Sequence, residues 1–102
     1  MNTLNIVNKS PFEKKTLEQC LKRIGAGDSV LLIEDAAISA VSGTAHEPQL
    51  LAAAADSSIY VLQADLDARG FSEVSLINPI KSVDYSGFVD LVAEHDRVHS
   101  WL

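Results

Sequence analysis

Two spacings of apolar residues recur along the chain, and they predict different elements. One set falls at i, i+3, i+4 and i+7, which is one face of a helix: Leu17, Cys20, Leu21 and Ile24. A second set, residues 30–33, is a continuous apolar run, typical of a strand that is buried on both faces. Gly25 and Gly27 lie between the two sets and predict the end of the helix. Residues 16–35 therefore predict a helix, a turn and a central strand.

The residues before this helix allow two positions for its first turn. Thr16 followed by Gln19 fits the capping pattern in which a hydroxyl and an amide satisfy the first backbone N–H groups. Ser10 followed by Glu13 fits the same pattern. The helix is therefore expected to begin anywhere from Pro11 to Thr16.

The same spacings predict alternating strands and helices along the rest of the chain. Strands are predicted at residues 4–7, 29–34, 59–62 and one of 74–77 or 80–83, with the last favoured. Helices are predicted at residues 36–42, 49–55, 64–69 and 85 to about 98, with Asp35 and Asp84 as N-caps. This order favours an α/β fold, a three-layer sandwich around a mostly parallel sheet of four or five strands.

Charge and composition narrow the possible functions. The 102 residues predict one domain, residues 1–102, and carry a formal charge of -6. Direct binding to nucleic acid is not expected, because it needs a positive surface that releases counterions from phosphates. A single cysteine excludes an internal disulfide. Neither a signal peptide nor a membrane-spanning apolar run is recognisable, so we expect a cytoplasmic protein that does not contact a membrane.

The sequence lacks complete motifs for a cofactor-binding or metal-binding site. Gly25-Ala26-Gly27 follows a predicted helix and precedes a strand, whereas a phosphate-binding loop follows a strand and precedes a helix. His95 and His99 stand at i, i+4, a spacing that can hold zinc on a helix, but no supporting glutamate lies between them. They are expected to end the last helix, whose predicted apolar face is Phe88, Leu91, Val92 and His95. No cofactor and no metal are predicted.

Two features of the sequence could carry chemistry. Glu34 and Asp35 follow the central strand, at the end of a parallel sheet where ligands bind, and could do acid–base work; alternatively Asp35 caps the next helix. Cys20 is the catalytic candidate, because an accessible thiol of low pKa can carry sulfur as a persulfide. Its place on the apolar face of the helix favours a packing role instead.

Four stretches of the chain together resemble the DsrH/TusB family of sulfur-relay subunits. They are NKSPFEKKTLEQCLK at 8–22, VLLIEDA at 30–36, DLDARGF at 65–71 and VDYSGFVDLVAEHDRVHSWL at 83–102. The likeness is closer to DsrH of sulfur-oxidising bacteria, since DsrH proteins carry a cysteine at the place of Cys20 and TusB proteins generally do not. The family often has a histidine where this chain has Asn5, to which we assign no role.

The resemblance implies a subunit that is not catalytic alone. Family members assemble with two paralogous partners, DsrE and DsrF or TusD and TusC, in a dimer of heterotrimers. Persulfide sulfur passes through the complex to a carrier, DsrC or TusE. The sulfur-accepting cysteine lies on the DsrE or TusD partner, and Cys20 is carried over only as the DsrH-type cysteine.

Three hypotheses of function follow. The first is a DsrEFH-type subunit in the oxidation of stored sulfur. The second is a TusB-like subunit of the relay for 2-thiolation of the tRNA wobble uridine. The third is a stand-alone module that binds a small ligand at Glu34 and Asp35. Trp101 and Leu102 are apolar residues at the chain's end that either anchor a partner or fold back on their own domain.

Overall fold

The computed structural model describes residues 2–71 and 74–101, in which five strands, four α-helices and one 3-10 helix alternate. The strands are β1 (Thr3–Val7), β2 (Ser29–Leu32), β3 (Ser58–Leu62), β4 (Lys81–Val83) and β5 (Arg97–Trp101). The helices are α1 (Thr16–Arg23), the 3-10 helix (Glu34–Ala40), α2 (Glu47–Ala54), α3 (Gln63–Ala68) and α4 (Tyr85–Glu94). No helix in these two ranges is long and apolar enough to cross a membrane.

The strands form one parallel sheet in the order β4-β3-β2-β1-β5. The predicted α/β fold is confirmed, and the favoured strand at 80–83 forms as β4. Of the alternative stretch 74–77, Leu76 makes an isolated antiparallel bridge to Val41. All four residues of β2 are buried, as the apolar run that begins at Val30 predicts.

The larger core lies on the face of the sheet that α1, the 3-10 helix, α2 and α3 cover. Strand residues of this core are Val7, Val30, Leu32, Ile59 and Val61. Helix residues packed with them are Leu17, Cys20, Ala36, Ala37, Ala40, Leu50 and Leu66. The small alanine side chains let the 3-10 helix approach the strands closely.

The opposite face is covered, within the described ranges, by α4 alone. This helix connects β4 at one edge of the sheet to β5 at the other, so it has to cross the whole face. The core beneath it consists of three buried leucines, Leu4, Leu31 and Leu91. The three predicted layers are therefore present, but they cover the two faces unequally.

The predicted capping of α1 is wrong. The helix begins at Thr16, within the expected range, but its N-cap is Lys15, and that side chain makes no capping hydrogen bond. Thr16 cannot cap the helix because it is itself the first helical residue and is buried. Ser10 begins a turn instead, since its carbonyl accepts the N–H groups of Glu13 and Lys14 at 3.2 and 3.1 Å.

The predicted helix at 36–42 is also corrected, because a 3-10 helix begins earlier, at Glu34. Its N-cap is Ile33, so Asp35 lies within the first turn and caps nothing. Asp84, by contrast, caps α4 as predicted, and its Oδ1 accepts the N–H of Gly87 at 2.7 Å.

The largest error of the prediction lies at the end of the last helix. We predicted a helix to about residue 98, but α4 ends at Glu94, and β5 adds a fifth strand beside β1. The spacing was misleading because His95 continues the apolar face of α4 and yet stops the helix. Its backbone is extended, and its Nδ1 lies 2.6 Å from the carbonyl oxygen of Leu91.

Candidate functional site

Cys20 lies on the inner face of α1, and its side chain is fully buried in the larger core. Burial, and to a lesser extent the negative charge of Asp28, raises the pKa of the Cys20 thiol from 9.0 to about 12. Near neutral pH such a thiol is ionised in on the order of one molecule in a hundred thousand. In this structure Cys20 therefore lacks both properties of a sulfur-transfer nucleophile, access and ionisation.

Two backbone N–H groups fix the position of the Asp28 carboxylate. Its Oδ1 accepts the N–H of Thr3 at 3.0 Å, and its Oδ2 accepts the N–H of Gly25 at 2.9 Å. The side chain thus joins the loop after α1 to the start of β1. The turn between helix and strand is built on this aspartate as well as on its glycines.

Glu34 and Asp35, the acidic pair after β2, both make hydrogen bonds within the protein. Arg69, from the end of α3, donates from Nε and Nη2 to Oδ1 of Asp35, each at 3.1 Å. The N–H of Glu34 donates to Oδ2 of Asp65 at 2.7 Å, and Glu34 has a positive φ of 50°. Asp35 is therefore the partner of an arginine, and its predicted capping role is wrong.

A cleft of about 260 Å³ opens beside this ion pair. It is lined by Ser10, Glu13, Asp35, Ile38, Arg69 and Phe71. The cleft lies near the carboxyl ends of β1, β2 and β3, the end at which parallel sheets bind ligands. Glu34 is absent from the lining, so the predicted pair does not act together here. Ligand binding in this cleft stays a prediction.

The structure separates the two histidines that the sequence placed on one helix. His95 follows α4, and its Nε2 lies 2.8 Å from the hydroxyl oxygen of Ser29. His99 lies in β5 and stacks on Trp101 with ring centroids 4.5 Å apart. Across residues 2–71 and 74–101, the structure brings together no three histidine, cysteine or acidic side chains that could hold a metal.

Asn5 has a structural role that the sequence analysis did not assign. It is buried in β1, donates from Nδ2 to the carbonyl oxygen of Ser29 at 3.2 Å, and accepts the indole N–H of Trp101 at 3.0 Å. Trp101 is half-buried against the larger core, so the alternative that it folds back on its own domain is confirmed. An amide inside an apolar strand was the available signal, since buried polar groups need partners. Leu102 lies outside the described residues.

Comparison with known proteins gives a family match over most of the chain. The family model described as "DsrH like protein" matches residues 9–98. Among curated relatives, Protein TusB of Pectobacterium parmentieri is 34% identical over 98 residues, covering 96% of this chain and 99% of the relative. Protein TusB of Serratia proteamaculans is 36% identical with the same coverage.

Solved structures show the same fold at lower sequence identity. The ychN protein of E. coli superposes with a TM-score of 0.83 at 18% identity, covering 98% of this chain and 99% of that one. Protein Tm0979 of Thermotoga maritima gives a TM-score of 0.62 at 22% identity, covering 89% and 91%. These similarities concern the fold and support the arrangement of strands described above.

Proposed function

Because the chain belongs to the DsrH-like family of sulfur-relay proteins, we propose that it is a TusB-like subunit of the relay for 2-thiolation of the tRNA wobble uridine. One observation carries this choice within the family: relatives named TusB match almost the full length of both chains. The closer likeness to DsrH that we expected is not supported by these relatives.

In this proposal the chain assembles with TusD-like and TusC-like paralogues, the counterparts of DsrE and DsrF, in a dimer of heterotrimers. Residues 1–102 form one DsrH/TusB-like domain in the cytoplasm, without direct contact to nucleic acid or membrane. The terminal sulfur of a cysteine persulfide passes to the thiolate of the next cysteine, and the donor leaves as a thiolate. From this complex the sulfur passes to a carrier of the TusE or DsrC type.

The proposal gives Cys20 a packing role and leaves sulfur transfer to cysteines of the partners. Its full burial and its thiol pKa of about 12 support this division. The negative formal charge of the chain also fits a subunit that does not bind tRNA itself.

Gene deletion with complementation tests the proposal. Without this chain, we expect 2-thiouridine in tRNA to fall to background, as measured by mass spectrometry of digested nucleosides. The wild-type gene and a Cys20→Ala gene should both restore it. Unchanged 2-thiouridine in the deletion strain would contradict the proposal.

The DsrEFH-type role in sulfur oxidation is the second candidate, and the presence of a cysteine at position 20 is what favours it. In that case deletion should leave tRNA thiolation intact and stop the consumption of stored sulfur. A Cys20→Ala gene that fails to restore sulfur consumption would then give the thiol a part in transfer.

A further inference from the structure

We draw no further inference here: the strongest candidate, the exposed apolar stripe of Tyr85, Val89 and Val92 along α4, carries nothing because nothing in the structure shows what covers it.

Discussion

The two faces of the sheet differ in how completely the chain covers them itself. On one face four helical segments enclose a large core in which aliphatic and alanine side chains are fully buried. On the other face one helix crosses five strands, and the core beneath it is small. The connection from β4 to β5 explains the difference, because a single crossover has to span the sheet. The first face stabilises the fold, and the second leaves apolar side chains of α4 exposed.

Truncating one buried leucine on each face of the sheet should give the largest difference in unfolding free energy between the two faces. Leu50→Ala in the large core should lower the free energy of unfolding by about 2–5 kcal/mol, since the enclosed site cannot collapse around the cavity. Leu91→Ala beneath α4 should cost about 2 kcal/mol or less, because the sparsely packed face can relax. Urea unfolding measures both, with the exposed neighbour Leu51→Ala as control. A larger cost at Leu91 would contradict the contrast.

Removing the amide of Asn5 tests how β5 is held at the edge of the sheet. Asn5→Ala should cost about 1–3 kcal/mol, because the indole N–H of Trp101 and the carbonyl of Ser29 both lose their partner. Fluorescence of Trp101, the single tryptophan, should shift to the red as its ring becomes hydrated.

Asn8→Ala is the matched control for this experiment. The amide of Asn8, just beyond β1, makes one long exposed bond of 3.4 Å to Glu34, so its loss should cost less than about 0.5 kcal/mol. If both asparagine variants have the same stability and the same emission, Asn5 does not hold Trp101 in place.

The pKa of Cys20 predicts a loss of stability in alkali. Below pH 9.0 the thiol is protonated in both states, and its contribution is fully present. Above that pH the unfolded state releases the proton while the folded state keeps it until about pH 12, so stability falls by about 1.4 kcal/mol per pH unit. Cys20→Val should lose this part of the slope in unfolding measured from pH 7 to pH 10. Identical slopes in the two proteins would show that the thiol ionises freely in the folded state.

Substituting the two aspartates that the sequence predicted as caps should lower the stability of the protein by modestly different amounts. Asp84→Ala should cost about 1 kcal/mol, because the N–H of Gly87 loses its acceptor at the start of α4. Asp35→Ala should cost less, about 0.5 kcal/mol, since it removes only a solvent-exposed ion pair with Arg69. Thermal unfolding of the two variants compares them, and the opposite order would mean that α4 does not depend on its cap.

The sequence predicts well the face of the sheet that carries the larger core, because the regular spacing of apolar residues specifies its helices and strands. The continuous apolar runs of β2 and β3 and the helical spacing of α1 each specify one buried arrangement. Capping was less predictable. Asp35 and Thr16 have suitable side chains, but which residue starts a helix depends on where the chain leaves the preceding strand or turn.

The strand β5 and the candidate site depend on contacts between distant residues, which local spacing does not contain. Arg97–Trp101 forms a strand because β1 has a free edge, and the pair Asn5 and Trp101 is separated by most of the chain. The ion pair of Asp35 with Arg69 likewise joins two segments. Burial of Cys20, in contrast, follows from helical spacing alone and was anticipated as the packing alternative.

Hydrogen exchange tests most directly the claim that α4 is held to the sheet less firmly than the helices of the larger core. Backbone amides of Tyr85–Glu94 would be compared with those of Thr16–Arg23 in the chain alone. The account predicts exchange about tenfold or more faster in α4 than in α1, because fewer buried side chains lie beneath α4. Equal exchange in the two helices, or slower exchange in α4, would contradict it.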